Sequence, residues 1–334
     1  MIISRTPFRI SFFGGGTDYP VWYKENGGAV LATTINKYCY ISCRYLPPFF
    51  EYKSRIIWSK MEKINQVEDI QHPSVRECLR FMNIDNGIEV HHDGDLPART
   101  GMGSSSAFTV GLLHALHALK SNMPTKRQLA LDAIHLEQNV MKENVGSQDQ
   151  AQAAFGGFNL IEFGGSDHIH VRPVILEKER LKSFQDHLLL FFTGFTRTAS
   201  EIAAEQVKAT PHKKKELGQM HEMVYRGLDI LNSKADLCDF GKLLHENWLI
   251  KRSLSEKIST GIIDAIYSAA REEGALGGKL LGAGGGGFMI IFARPEDHPK
   301  IKKRLDNLLC VPFQFETLGS QIIFYSPADS LVNI

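Results

Sequence analysis

The sequence predicts an α+β protein of two domains. Strand-like and helix-like segments are mixed along the chain, without the regular strand-helix alternation of a doubly wound parallel sheet. The length of 334 residues exceeds the size at which one hydrophobic core usually stops growing. The pattern of segments also changes between residues 175 and 187. We therefore predict one domain over residues 1–182 and a second over residues 183–334.

In the first domain, strands are predicted where β-branched and aromatic residues dominate between turn residues. These strands cover residues 1–14, 28–46, 87–91, 158–163 and 168–174, and the segment RIIWS forms a further short strand. Two apolar periodic segments predict helices over 104–120 and 125–144. Thr125 has the position of a helix N-cap, because Gln128 follows three residues later.

The second domain begins with an apolar strand near residue 188. Four helices are predicted next, over residues 199–208, 213–231, 240–249 and 262–273. A glycine-rich run leads to a strand over 288–294, a helix over 299–309 and a last strand over 313–324.

Composition excludes several classes of protein. A formal net charge of +1 gives no electrostatic footprint for nucleic acid. No apolar run approaches the ~20 residues that span a bilayer, and the first residues lack the pattern of a signal peptide. The five cysteines are odd in number and include no CxxC pair, so we expect buried free thiols. These features predict a cytoplasmic protein with no nucleic-acid or membrane partner.

The segment LPARTGMGSSSA, residues 96–107, predicts an anion site. The three serines fall where a helix begins, so unpaired backbone N–H groups and the positive end of the helix dipole face the turn. Gly101 and Gly103 leave room for a phosphate to approach the backbone. A dipole alone contributes only about 0.3–1 kcal/mol, so tight nucleotide binding needs a metal and further charges.

A second glycine-rich run, GAGGGG over residues 282–287, matches the letters of a dinucleotide-binding motif. The segment after it reads as a strand rather than a helix, which argues against a dehydrogenase. The same region lacks a Walker A loop. We predict a loop that approaches a ligand or the other domain; the alternative is a merely flexible loop.

The segment TPFRISFFGGGTDY, residues 6–19, carries Arg9 on a strand and Asp18 after three glycines. An arginine and an aspartate at the mouth of a strand suit a sugar or phosphate clamp, although a glycine turn followed by Asp is also ordinary turn chemistry.

Glu137 and Asp149 form a pair of carboxylates in LEQNVMKENVGSQDQ. Glu137 lies on the second predicted helix, whereas Asp149 follows the break at Gly146 and can return over the site. Each alone reads as a surface carboxylate. Together with the serine turn they match phosphoryl transfer, which needs a hard oxygen ligand for Mg²⁺ and a carboxylate beside the attacking hydroxyl.

In chain order, the segments over residues 6–19, 96–107 and 279–288 resemble the three motifs of the GHMP small-molecule kinases, the superfamily of galactokinase, homoserine kinase, mevalonate kinase and phosphomevalonate kinase. The third motif is KLLGAGGGGF, residues 279–288. The resemblance implies an N-terminal domain with a left-handed βαβ crossover, a ferredoxin-like C-terminal domain and a site between them.

The resemblance also implies roles for individual residues, with ATP and Mg²⁺ as cofactors. Asp149 would be the catalytic carboxylate, and Arg9 would stabilise the alkoxide. Ser105 and Glu137 would hold the metal. Nucleotide contacts would come from Arg99, Thr100, Gly101, Met102, Gly103, Ser104, Ser105, Ser106, Trp58 and Ser59. Substrate contacts would come from Gly14, Gly15, Gly16, Thr17, Asp18, Arg197, Gly284, Gly285 and Gly286.

The substrate implied by the resemblance is a phosphorylated sugar. Galactokinases carry Glu-His where this chain has Gly15 and Gly16. The GGGTD form and the segment FTGFTR, residues 192–197, are most similar to the heptose 7-phosphate kinases, which phosphorylate an anomeric hydroxyl. Among the basic residues, Arg197, Arg99 and Lys142 are candidates for the phosphate anchor, with Arg197 preferred. A kinase for a free sugar such as fucose or galactose, and a catalytically silent sugar and ATP sensor, stay open, as does a homo-oligomer.

Overall fold

The computed structural model describes residues 1–85, 87–165, 168–194 and 199–326. Its strands, in chain order, are β1 (Ile2–Phe13), β2 (Gly28–Tyr45), β3 (Ser54–Ile57), β4 (Met61–Ile64), β5 (Ile88–Gly94), β6 (Phe158–Gly164), β7 (His168–Pro173), β8 (Leu188–Phe192), β9 (Ala275–Leu280), β10 (Phe288–Ala293), β11 (Leu309–Cys310), β12 (Phe315–Glu316) and β13 (Gln321–Tyr325).

The α-helices are α1 (Pro20–Asn26), α2 (Pro73–Phe81), α3 (Ser104–Leu119), α4 (Lys126–Ile134), α5 (Gln148–Phe155), α6 (Lys178–Asp186), α7 (Ala199–Ala209), α8 (Lys214–Asn232), α9 (Leu237–Arg252), α10 (Gly261–Glu272) and α11 (His298–Arg304). A π-helix over His135–Val140 continues α4. The predicted cap of α4 is confirmed, since the Thr125 hydroxyl accepts a hydrogen bond from the backbone N–H of Gln128 at 3.1 Å. Capping supplies about 1 kcal/mol of helix stability.

The first sheet is built around β1 and the long strand β2. Its strands follow the order β13-β1-β2-β5-β3-β4, and β6 and β12 also pair with β2 while β7 pairs with β6. β3 and β5 are parallel neighbours, connected through β4 and α2. Helix α3 packs against β1 and β2, which brings its first turn close to the end of β1.

The second sheet has four antiparallel strands in the order β11-β8-β10-β9. Counted within this part of the chain, that order is 4-1-3-2, the strand order of a ferredoxin-like unit. A cluster of aromatic rings joins the two sheets: Phe240 of α9 lies 5.6 Å from Phe12 of β1 and 5.8 Å from Phe292 of β10, measured between ring centroids. The predicted α+β class with two domain folds is confirmed.

Several predicted elements were wrong in extent. The helix predicted over 125–144 ends as an α-helix at Ile134 and continues only as a π-helix to Val140. The helix predicted over 299–309 ends at Arg304. The last strand, predicted over 313–324, is two short strands, and both pair in the first sheet rather than the second. Periodicity gives no information about which sheet a strand joins, because that choice depends on distant partners.

Four helices were missed. Helices α1 and α2 begin at Pro20 and Pro73, prolines that read as turn signals but are well tolerated in the first helical turn. Helix α5 is buried on most sides, so it has no polar face to give it a helical period. Helix α6 buries only Phe184, which leaves too few apolar positions for a pattern.

Within the described ranges, none of the helices is long and apolar enough to cross a membrane. The expectation of free thiols is confirmed: Cys39, Cys43, Cys78 and Cys238 are buried and unpaired, and Cys310 is half-buried and unpaired.

Candidate active site

The anion site predicted from the sequence lies at the first turn of α3. Gly103 precedes the helix with φ +74°, in the left-handed region where glycine carries no steric penalty, and no side chain caps the helix. The Ser104 hydroxyl accepts a hydrogen bond from the backbone N–H of Arg99, which closes the loop over residues 99–103. The uncapped N–H groups and the dipole of a 16-residue helix therefore face this loop, called the phosphate loop below (residues 96–103).

Arg9 and Asp149 form an ion pair directly beside the phosphate loop. Arg9 Nε donates to Asp149 Oδ1 at 2.7 Å, and Arg9 Nη2 donates to Asp149 Oδ2 at 2.9 Å. Arg9 Nη1 donates to the carbonyl of Gly101 at 2.6 Å. A Cβ built on Gly103 would lie 3.4 Å from Asp149 Oδ2, so the carboxylate is in contact with the loop backbone. Asp149 lies in the first turn of α5, where the helix dipole stabilises a negative charge.

Asp18 faces the same centre from the turn after β1. Its side chain is 2% exposed, and its Oδ1 accepts the backbone N–H of Gly16 at 2.8 Å. Burial raises the pKa of Asp18, and the nearby charge of Asp149 adds to that shift, while the hydrogen bond from Gly16 opposes it. A Cβ on Gly146 would lie 1.8 Å from Asp18 Oδ2, so the segment before α5 covers this carboxyl group.

The first-motif turn gives Thr17 a different role from the predicted substrate contact. Thr17 is fully buried, and its hydroxyl contacts the carbonyl of Gly14 in the turn at 2.8 Å and the carbonyl of Ala29 on β2 at 2.9 Å. Gly15 lies instead near two polar atoms, since its Cβ would be 3.8 Å from Gln148 Nε2 and 3.9 Å from Ser11 Oγ. Ser11 Oγ and Gln148 Oε1 are buried and have no hydrogen-bond partner in the described parts of the chain.

Glu137 is held by the π-helix beneath the first turn of α3. It is fully buried, and its Oε2 accepts hydrogen bonds from Ser106 Oγ at 2.8 Å and from Gln150 Nε2. Burial raises the pKa of Glu137 to about 7, against the opposing effect of the surrounding hydroxyl and amide donors. Of the two adjacent serines, Ser106 contacts Glu137, whereas Ser105, the predicted metal ligand, is exposed.

These residues fit a divalent cation. Glu137 Oε1 is buried and meets no donor in strict hydrogen-bond geometry within the described ranges, while the Thr109 hydroxyl lies near this carboxylate. A buried carboxylate beside hydroxyl groups offers the type of oxygen ligand that Mg²⁺ prefers.

The third glycine-rich loop, over residues 282–287, packs against the phosphate loop. A Cβ on Gly282 would lie 2.4 Å from Gly101 Cα, and one on Gly287 would lie 2.2 Å from the carbonyl oxygen of Thr100. The backbone N–H of Phe288 donates to that carbonyl at 3.1 Å. Gly284 packs against Ile258 instead, and the backbone N–H of Gly285 donates to the carbonyl of Ile258 at 2.9 Å. The prediction of a loop that approaches the other domain is confirmed.

The remaining nucleotide candidates contribute unequally. Met102 is fully buried, so only its backbone is available, and its carbonyl accepts the N–H of Arg9 at 3.1 Å. The Thr100 hydroxyl donates to Pro97 within the loop. Trp58 Nε1 donates to Glu62 at 2.9 Å and its ring packs edge-on against His72, whereas Ser59 is exposed. Arg197, the preferred phosphate anchor, lies outside the described residues.

Two buried lysines at this centre were not predicted. Lys251, in the last turn of α9, is 4% exposed, and its Nζ donates to the carbonyl of Gly282 at 2.5 Å. Lys279, on β9, is 1% exposed and donates to the carbonyls of Ser11 and Phe12 at 2.9 and 3.0 Å. One signal was available for Lys251, because it shares the apolar face of α9 with Leu244 and Trp248 at helical spacing.

Comparison with known proteins agrees with this architecture. Residues 72–157 match the GHMP kinases N terminal domain, and residues 231–309 match the GHMP kinases C terminal domain. A protein of Campylobacter jejuni named D-glycero-alpha-D-manno-heptose 7-phosphate kinase is 29% identical over 91% of this chain and 93% of its own length.

Two further relatives match over most of this chain. An L-fucokinase/L-fucose-1-P guanylyltransferase of Bacteroides fragilis is 26% identical over 91% of this chain, but the match covers 36% of that protein. The crystal structure of a D-glycero-D-manno-heptose 1-phosphate kinase from Bacteroides thetaiotaomicron superposes with a TM-score of 0.80 at 22% identity, over 98% of this chain and 100% of that one. This last likeness establishes the fold.

Proposed function

We propose that this chain transfers the γ-phosphoryl group of ATP to the anomeric hydroxyl of a phosphorylated sugar. The matches of residues 72–157 and 231–309 to the N-terminal and C-terminal domain models of the GHMP kinases support this proposal. The proposed substrate is D-glycero-α-D-manno-heptose 7-phosphate. Its product, the 1,7-bisphosphate, would serve the synthesis of GDP-heptose for surface polysaccharides.

The observation that carries this proposal is the Arg9–Asp149 pair in contact with the phosphate loop. In the reaction, the anomeric oxygen forms a bond to the γ-phosphorus, the bond to the bridging oxygen of ADP breaks, and the hydroxyl proton passes to Asp149. The two hydrogen bonds from Arg9 fix the direction of the carboxylate, and the guanidinium stabilises negative charge on the attacking oxygen.

A magnesium ion would be held by Glu137 through its unpartnered oxygen, together with a hydroxyl of the serine turn. When bound, the ion would neutralise charge on the phosphate oxygens. Ser106 is the hydroxyl that contacts Glu137, and Ser105 stays the choice implied by the family motif. The uncapped start of α3 would bind the phosphates through backbone N–H groups.

A basic side chain lies next to the first-motif turn. Lys213 shares a small cavity there with Gly16, Tyr19 and Leu217. The Lys213 side chain is 30% exposed and pairs with Glu216 at 3.2 Å. Because this positive charge lies near Gly16, in the turn that holds Asp18, we propose Lys213 as an anchor for the remote phosphate. Arg197, the candidate chosen from the sequence, is kept as a second candidate for this role.

The experiment is a panel of acceptors with Mg²⁺ and ATP, read by ADP release and by phosphorus NMR of the product. The panel contains the heptose 7-phosphate, mannose 6-phosphate, galactose, fucose, mannose and mevalonate. We expect a new anomeric phosphate from the heptose 7-phosphate alone. An Asp149→Asn variant run in parallel controls for a contaminating kinase.

A kinase for free fucose is the second candidate, favoured by the match to the Bacteroides fragilis fucokinase over 91% of this chain. Turnover of fucose in preference to the heptose 7-phosphate would select it. Normal binding of ATP and sugar without turnover of any acceptor would instead identify a sensor, although such a protein has no use for Asp149.

A further inference from the structure

Lys251 is a buried cation without a carboxylate partner. Its side chain is 4% exposed, and its ammonium donates to a single neutral group, the carbonyl of Gly282 at 2.5 Å. In the described parts of the chain, Lys251 forms no ion pair within 4.0 Å. A buried ammonium loses its hydration, and one carbonyl does not replace three water contacts. A group with this cost is usually retained for a ligand of opposite charge.

A short series of contacts connects this ammonium with the phosphate loop. Gly282, whose carbonyl accepts from Lys251, packs so closely on Gly101 that a Cβ would lie 2.4 Å from Gly101 Cα. The carbonyl of Gly101 accepts from Arg9 at 2.6 Å, and Arg9 pairs with Asp149. Lys251 and Arg9 therefore both lie beside the contact between Gly101 and Gly282.

Lys251 shares this centre with one other charged base and with two carboxyl groups. The charged base is Arg9 of β1; Lys279 of β9 also lies here, but burial and the charge of Lys251 lower its pKa well below the usual value. Two carboxyl groups face them, Asp149 from α5 and Asp18 from the turn after β1. Asp149 is already engaged by Arg9 in two hydrogen bonds. An anion that enters this centre thus meets a cation that has no partner of its own.

We propose that Lys251 donates a hydrogen bond to an oxygen of the γ-phosphate of bound ATP and keeps that contact as the phosphoryl group moves to the acceptor. The inference rests on the proposed function. It makes the C-terminal half of the chain a direct participant in the reaction, through a residue of α9 beyond the three motifs. Burial, together with the charge of Arg9, lowers the pKa of Lys251 to about 8, so the group is charged at neutral pH.

A purely structural role for Lys251 would be to hold the loop over residues 282–287. That loop is already fixed by backbone bonds from Phe288 to Thr100 and from Gly285 to Ile258. A neutral donor would serve the Gly282 carbonyl without the cost of a buried charge. The two roles differ in what they predict for nucleotides with and without a γ-phosphate.

The test compares Lys251→Met and Lys251→Arg with the wild type. Lys242→Met is the matched control, because Lys242 lies on the same helix, is 65% exposed and pairs only with Asp239. Calorimetry measures the affinity for the Mg²⁺ complexes of AMPPNP and of ADP, and melting curves report folding. Neither measurement needs a sugar, so a wrong acceptor in the proposed function leaves this test intact.

We expect Lys251→Met to lose at least about 30-fold in affinity for AMPPNP, with its affinity for ADP within about threefold of the wild type. Lys251→Arg should retain part of the preference for the triphosphate, and Lys242→Met all of it. With an active acceptor, kcat of Lys251→Met should fall by a similar factor. A preference for AMPPNP over ADP that stays within threefold of the wild type in Lys251→Met overturns the proposal, whether or not both affinities fall together.

Discussion

The buried charge of Lys251 should reduce the stability of the ligand-free protein, so the Lys251→Met variant should be more stable than the wild type. The pKa of the group falls from 10.5 to about 8 on folding, with burial as the main cause. Below pH 8 the ammonium is charged in both the folded and unfolded states, and the folded state bears the full penalty. As the pH rises from 8 towards 10.5, the folded state releases its proton first and the penalty disappears.

The magnitude follows from this shift. The fall of the Lys251 pKa from 10.5 to about 8 corresponds to a penalty of about 3 kcal/mol at pH 7 and about 1 kcal/mol at pH 10. Methionine is similar in length but loses the hydrogen bond to Gly282, which offsets about 1 kcal/mol. The net gain is about 2 kcal/mol at pH 7 and close to zero at pH 10. For 334 residues the unfolding entropy is about 0.7 kcal/mol/K, so the melting temperature should rise by about 3 °C at pH 7.

The assay is calorimetric melting of the wild type, Lys251→Met and Lys242→Met at pH 7 and pH 10, without nucleotide. Groups that titrate in all three proteins cancel in the differences. We expect the gain of Lys251→Met to vanish at pH 10 and Lys242→Met to match the wild type at both values, since its charge is exposed. A Lys251→Met protein that melts at or below the wild type at pH 7 would refute the argument, because it would show that the ammonium stabilises the fold.

Four further predictions concern the site and the fold. Asp149→Asn should lower kcat by about 10²–10⁴ if Asp149 accepts the proton; a loss below tenfold with intact substrate binding would contradict that role. Glu137→Gln should raise the Mg²⁺ concentration needed for half-maximal rate, and an unchanged metal dependence would remove it from the metal site. Lys213→Met should raise KM for a sugar phosphate by about tenfold or more while leaving KM for ATP unchanged; the neighbouring Lys215→Met is the control, and equal effects would exclude a specific anchor. Thr125→Ala should cost about 1 kcal/mol in urea unfolding through loss of the α4 cap, with kcat unaffected, and a cost near zero would show that the cap is dispensable.

The phosphate loop was predictable from the sequence because its chemistry is local. Glycines and serines before an apolar periodic segment specify a helix start with free N–H groups, and the structure has such a start at Ser104. The meeting of Arg9 and Asp149 beside this loop depends on a contact between residues that are 140 positions apart in the sequence. The motif resemblance supplied that pairing, and the spacing of residues did not.

Other parts of the site depend on geometry that residue spacing does not record. The choice between Ser105 and Ser106 as the neighbour of Glu137 is set by how the π-helix turns that carboxylate, and a π-helix has no clear sequence pattern. In the sequence, Lys279 is simply one residue of an apolar strand. Its hydrogen bonds to the carbonyls of Ser11 and Phe12 arise only because β9 lies against the end of β1 in the fold. Both features arise from the meeting of the two sheets.

The contact between the two glycine-rich loops explains why the proposed nucleotide site and the junction between the two domains are one structure. The phosphate loop is held by β1 through the hydrogen bond from Arg9 N–H to the Met102 carbonyl, and by β10 through the bond from Phe288 N–H to the Thr100 carbonyl. Glycine on both sides, at 101 and 282, lets the two backbones touch with no side chain between them. The N–H groups at the start of α3 are therefore fixed before a phosphate arrives, and binding need not order the loop. Because Lys251 contacts Gly282 and Arg9 contacts Gly101, a side chain added at either glycine should push the two loops apart and separate these two charged groups.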